Sequence, residues 1–160
     1  MRKVEVGQVR EYLETSIGLM SGGDAISVVE MLEAREVLEV PAARMAATRR
    51  DDSHVDQLWE AIERETHSRG RGLKFREHRN FHGIVVQAAG NGLLELMTEP
   101  VFRVLQAKFL DPDVPQAFWA DVDADHRTIT EAVRDGDGDA AATAMQEHLV
   151  RLRAFYHEPR

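Results

Sequence analysis

No cysteine occurs among the 160 residues. That excludes a disulfide framework, a thiolate zinc site and a cysteine nucleophile, and it leaves nitrogen and oxygen as the ligands for any metal. Proline is scarce, at five, and aromatic residues make up only 6%. No apolar run approaches the ~20 residues needed to cross a bilayer, and Met1 does not open a basic stretch leading into an apolar one. Neither a membrane span nor an export signal is therefore expected, and the expected location is the cytoplasm. Basic charge is outweighed, since 20 Lys and Arg stand against 28 Asp and Glu, a net −8 at neutral pH. Binding to phosphate backbones by counterion release needs a clustered basic surface, so this chain alone is not expected to bind DNA.

Alternation of β-branched with polar residues is also missing. Val4-Glu5-Val6 is the only hint of a strand, and the rest reads as helix. Glycine, proline and capping residues punctuate the chain at 21–24, 50–53, 68–72, 90–92, 111–113 and 135–139. They delimit helices over 25–49, 53–68, 73–89, 93–109, 115–134 and 139–156, with a shorter one over 8–19. The Gly/Asp-rich stretch 135–139 looks like a calcium loop but lacks the bidentate glutamate that closes a 12-residue loop. It is read as a turn, with Asp137 or Asp139 capping the next helix. Short connections between helices of this length favour antiparallel neighbours. The expected fold is all-α, an antiparallel up-and-down bundle of six to seven helices. A chain of roughly 150 residues buries about 68–70% of the surface it exposes when unfolded, so such a core needs no metal to hold it.

Seven histidines are present, and helical stepping places four on apolar seams. One seam runs Phe75, His78, His82, Val85, Ala89. A second runs Phe118, Val122, His126, Ile129, Val133, and a third Ala141, Met145, His148, Leu152, Phe155. His54, His67 and His157 fall at helix ends or off the seams and are read as solvated. A buried imidazole without a hydrogen bond costs about 1–3 kcal/mol, so four in one bundle call for partners. A shared one is the simplest. His78 and His82 are i and i+4, roughly 5.4 Å apart along one helix face, a spacing at which two imidazoles close on one ion. His126 and His148 add ligands from two other helices. Nitrogen donors suit zinc, nickel, cobalt or copper and suit magnesium or calcium poorly. The alternatives are a polar ligand cavity, or an inert core whose imidazoles are satisfied by buried water.

The first long helix carries Arg35 where its stripe of Val28, Met31/Leu32, Leu38, Ala42 and Met45 would put a leucine. A buried guanidinium keeps its proton and requires a carboxylate or phosphate. The partner could be one of the chain's own acidic residues, or the side chain could snorkel to the surface. It could also be a small carboxylate ligand, gripped by Arg35 on one side and a metal on the other.

The run from Leu32 to Ala47 resembles the opening helix of the FCD domain, the C-terminal effector-binding domain of FadR-type regulators in the GntR family. Three later stretches agree in order and spacing: Phe81-His82 with Ala88-Ala89-Gly90-Asn91, then Asp125-His126-Arg127-Thr128-Ile129 with Glu131-Ala132-Val133, then Ala144-Met145-Gln146-Glu147-His148-Leu149. The resemblance covers about residues 25–157. It implies a helical bundle whose cavity binds a divalent metal, zinc or nickel first among them, through an aspartate and three histidines, together with a small organic acid. His82, His126 and His148 match the histidines, and Arg35 matches an arginine that commonly contacts the effector. The family aspartate lies four residues before the first histidine, where this chain has His78. That change adds one unit of positive charge to the site and favours an anionic effector.

The resemblance further implies a homodimer and a DNA-binding winged-helix domain. Residues 1–24 are too few to hold that domain, so they are expected to be a linker or a remnant of it, with DNA contact made only through a domain absent from this chain. The expected function is ligand sensing in a transcriptional regulator, without enzymatic activity. The alternative is a zinc-dependent hydrolase of small esters or lactones. Its general base is hard to place, because Glu77 and Glu147 directly precede His78 and His148 and point about 100° away from them. A di-iron oxidase needs Glu-x-x-His pairs, and the residues three before the four histidines are Phe75, Arg79, Asp123 and Met145.

Overall fold

The computed structural model describes residues 5–23, 25–68, 71–108 and 114–157, and of Arg71, Lys108 and His157 only the backbone. The described elements are helices: α1 Val6–Gly22, α2 Val28–Arg49, α3 Asp52–His67, α4 Arg71–Ala88, α5 Gly92–Lys108, α6 Gln116–Asp135 and α7 Gly138–His157. They form an all-α antiparallel bundle, as expected. α1 is longer than the 8–19 anticipated. Glu5 and Val6, part of the apparent strand, are its N-cap and first residue; Val4 lies outside the described residues.

Capping chemistry sets the boundaries. The Ser27 hydroxyl accepts from the Glu30 amide at 3.1 Å while the Glu30 carboxylate accepts from the Ser27 amide at 2.8 Å, so α2 starts at Val28 and leaves Ala25 and Ile26 outside. Asp51 caps α3 by accepting from the His54 amide at 3.0 Å. Of the two candidates before α7, Asp137 is the cap, accepting from the Ala140 amide at 2.9 Å, and Asp139 pairs instead with Arg44 of α2. Gly136 ends α6 at φ 75°, in the left-handed region that a side chain disfavours.

Spatial neighbours are not simply sequence neighbours, which corrects the up-and-down order. α2 lies against α7, α4, α5 and α6, while α3 packs on α4 and α6. The reason is the composition of α2. Beyond Pro41 its buried residues are Ala42, Ala43, Ala46 and Ala47, whose small side chains let other helices approach from several sides. Around them the main core gathers Leu58, Ile62, Phe81, Ile129, Met145 and Leu149. α1 contributes little to this interior, with Ser21 its one buried residue among those described. It is fixed to α5 by an ion pair between Arg10 and Glu99 at 2.7 Å. The consequence for function is that α4, α6 and α7, the helices bearing seam histidines, all contact α2.

Candidate metal centre

The seams of α4 and α6 bury as the stepping predicts. Phe75, His78, His82, Val85 and Ala89 are buried, as are Phe118, Val122, His126, Ile129 and Val133. On α7 His148 is buried and only Phe155 is half-exposed. The four histidines converge, and one potential ligand atom from each lies within 4.8 Å of all the others. The remaining histidines stay apart. His54 is half-buried beside Asp51, His67 is exposed, and the side chain of His157 lies outside the described residues.

Each inward imidazole is backed by a carboxylate. His82 Nδ1–H donates to Glu39 Oε2 at 2.5 Å, and His126 Nδ1–H to Glu65 Oε2 at 2.8 Å. His148 Nδ1–H reaches Asp125 Oδ2 at 3.2 Å, and His78 Nδ1 lies 3.3 Å from Glu65 Oε1, close but poorly aligned for a hydrogen bond. Glu65 thus serves two rings. A carboxylate on Nδ1 fixes the tautomer and leaves Nε2 as the free donor, the outer-sphere arrangement of metal-binding histidines.

The inward nitrogens show what this leaves unresolved. His82 Nε2 and His148 Nε2 face each other at 3.2 Å. With both Nδ1 protons committed to carboxylates, two lone pairs meet without a proton between them. His126 Nε2 is buried with no hydrogen-bond partner. Two nitrogens on one tetrahedral zinc, at Zn–N about 2.0–2.1 Å, sit roughly 3.3 Å apart. The donor set and its spacing therefore fit a transition-metal cation. Protons do not substitute for it, because burial holds His78 down to about 4, His148 down to about 3 and His82 well below the ordinary imidazole value.

The acidic groups behave differently from one another. Burial opposes ionisation of Glu65, but His126 and His78 outweigh it and hold the carboxyl well below its ordinary range. For Glu39 burial dominates and raises the pKa, although Arg35 and His126 oppose it. Burial likewise opposes ionisation of Asp125, and His148 and Arg151 more than offset it.

Arg35 is buried, and its Nε–H donates to Glu39 Oε1 at 2.6 Å. One of the chain's own acids therefore satisfies part of the guanidinium, and the Phe102 ring lies 5.1 Å from it. Arg35 also lines two small cavities of about 30 and 20 Å³, each shared with Phe75 and His78. Each has room for about one water.

Glu39, Glu65 and Asp125 were not singled out from sequence. Two of them left a trace. Arg35 and Glu39 are an i,i+4 pair, and Glu65 continues the α3 seam of Leu58, Ala61 and Ile62. Glu39 is fully buried and displaces half-buried Leu38 from the stripe expected on α2. Asp125 adjoins His126 on α6 yet serves His148 on α7, which only the packing reveals.

The FCD domain family matches this chain over residues 30–151. The chain is 27% identical to the HTH-type transcriptional repressor NanR of Citrobacter rodentium, over 92% of this chain and 60% of that protein. The repressor of the same name from Escherichia coli K12 is 28% identical over the same shares. The chain thus spans about 60% of the length of these relatives. A solved structure of Streptococcus agalactiae GntR superposes with a TM-score of 0.68 at 20% identity, covering 79% of this chain and 57% of that one, and supports the fold.

Proposed function

The chain belongs to the FCD domain family, and from that premise we propose that it is the ligand-sensing domain of a GntR-type transcriptional regulator of the FadR group. In this reading His78, His82, His126 and His148 hold one divalent transition metal, zinc or nickel. A small organic acid binds beside it, anchored by the Nη groups of Arg35. Residues 25–157 form the sensing bundle, and residues 1–24 are a linker to a DNA-binding winged-helix domain or a remnant of it. The regulator is a cytoplasmic homodimer whose DNA affinity responds to the acid through a coupling of about 1–3 kcal/mol, the usual allosteric range.

The observation that carries the reading is the approach of His82 Nε2 to His148 Nε2 at 3.2 Å while Glu39 and Asp125 occupy the opposite ring nitrogens. A bound cation supplies the positive charge that those lone pairs face. The chain's own residues do the rest. Glu39, Glu65 and Asp125 orient the rings, Phe102 packs against the Arg35 guanidinium, and Arg35 offers a fixed fork to a carboxylate.

Elemental analysis of the purified chain, with anomalous scattering to place the ion, tests the metal. The expected result is about one zinc or nickel per chain, lost in His126→Ala. Calorimetric titration with small carboxylates tests the ligand, and the heat is expected to disappear in Arg35→Ala. A metal-free chain that also fails to take up zinc or nickel would overturn the proposal.

A further inference from the structure

Arg79 lies on α4 between His78 and Asn80, half-buried, and makes no hydrogen bond or ion pair with any described residue. Its neighbours of like charge each have a carboxylate partner. Arg10 pairs with Glu99 at 2.7 Å, Arg64 with Glu77 at 3.0 Å, and Arg103 with Glu99 at 3.1 Å. A guanidinium so placed lacks an anion.

Two hollows meet at this residue. On the outside is a groove of about 300 Å³ lined by Arg10, Arg64, Arg79, Glu95, Glu99 and Phe102, among others, in which both carboxylates pair with Arg10, at 3.8 and 2.7 Å. On the inside is the cavity of about 30 Å³ over Arg35 and His78, which Arg79 and Phe102 also line. The groove reaches the lower end of small-molecule pocket volumes, roughly 300–1,000 Å³. The cavity does not, so an organic acid touching Arg35 must displace part of the wall between them. Phe102 is buried and packs against the Arg35 guanidinium. Arg79 has a long side chain and no partner to lose, and so it is the part of the wall that yields.

We propose that Arg79 is the second anion-recognition residue of this site, with the outer groove as the entrance, and that the ligand is an organic acid bearing two acidic groups. One carboxylate meets Arg35 and the other meets Arg79 as its side chain turns toward the incoming molecule. The short hydrocarbon segment between them lies along Phe102, whose ring borders both hollows. Two planar guanidinium forks then select for two carboxylates. The inference rests on the organic-acid reading of the site and adds the class of acid.

The test uses two four-carbon acids that differ in one carboxylate, succinate and butyrate, titrated calorimetrically into the zinc-loaded chain. Succinate is expected to bind at least tenfold more tightly than butyrate. Arg79→Met is expected to remove that advantage and leave butyrate within about twofold of the unmodified chain, with unchanged zinc content and thermal midpoint. Arg35→Met is expected to weaken both acids. Arg79→Lys, which keeps charge and stem without the fork, should recover part of the advantage and guards against a folding defect in the methionine variant. Succinate binding that survives Arg79→Met but vanishes in Arg35→Met would overturn the role of Arg79 and leave Arg35 as the anchor. Equal binding of both acids by the unmodified chain would likewise overturn the dicarboxylate assignment. If neither acid binds, the organic-acid reading itself falls, and this inference with it.

Discussion

Glu39 accepts from Arg35 Nε at 2.6 Å through one carboxylate oxygen and from His82 Nδ1 at 2.5 Å through the other. One fully buried carboxylate therefore sets the position of both the guanidinium and a ring of the candidate centre. Removing one member of such a group strands the others without water. Glu39→Ala is expected to lower stability by about 3–5 kcal/mol, read from urea unfolding. Glu39→Gln keeps the shape but weakens the hold on His82, and zinc affinity should fall by about 10–100-fold in competition with a chelating dye. Unchanged zinc affinity in the glutamine variant would show that His82 is oriented by something else.

Glu65 and Asp125 make an informative comparison. Glu65 is fully buried and lies against both His126 and His78, whereas Asp125 is partly exposed and shares its charge between His148 and Arg151. Glu65→Gln should therefore weaken zinc binding by tenfold or more, and Asp125→Asn by only about a few-fold, within the usual span for outer-sphere partners. Equal losses would mean that the two acids carry similar loads. The position of Glu65 also bears on His78. Its Oε1 lies 3.3 Å from His78 Nδ1, so the negative charge facing that imidazole comes from α3.

Acid should destabilise the metal-free protein through these same rings. Unfolded imidazoles titrate near 6.5, while burial holds His78 at about 4 and His148 at about 3 in the folded chain. Between roughly pH 6.5 and 4 the unfolded chain binds more protons than the folded one. Stability is then complete above about pH 6.5 and declines as pH falls through that window, by about 3 kcal/mol for His78 alone. Urea midpoints measured in chelator from pH 4 to 8 check this, and a flat profile would contradict it. Saturating zinc should raise the midpoint at pH 7, through about 4 kcal/mol of added stability at a thousandfold excess over its dissociation constant.

Gly136 supplies a test away from the centre. A Cβ there meets the Ala47 carbonyl at 3.6 Å, an ordinary contact, so the penalty for Gly136→Ala is the left-handed backbone at φ 75°. A loss of about 1–2 kcal/mol is expected, with zinc affinity unchanged. A change in zinc affinity would mean that the turn before α7 governs the placement of His148.

The sequence made the helices legible because glycine, proline and caps mark their ends, and it made the four histidines legible because each interrupts an apolar seam. Glu65 interrupts the α3 seam in the same manner and could have been found by the same stepping. Glu39 was harder, since an i,i+4 glutamate after an arginine usually marks a solvated helix face. Asp125 could not be assigned to His148 without knowing that α6 packs on α7. Packing order itself was the least legible feature. Short connections suggest neighbours in sequence, yet the run of alanines in α2 draws four helices onto one.

That alanine run limits how an event at the histidines can travel. Ala42, Ala43, Ala46 and Ala47 have no rotamers to exchange, so the fully buried face of the far half of α2 cannot register a change by repacking side chains. A shift at Arg35 or Glu39 reaches that half only as movement of the backbone, a slide or tilt of the whole rod against α7. The small residues that let the helices nest so closely thereby make α2 a lever, stiff where it is smooth and tethered where it is charged.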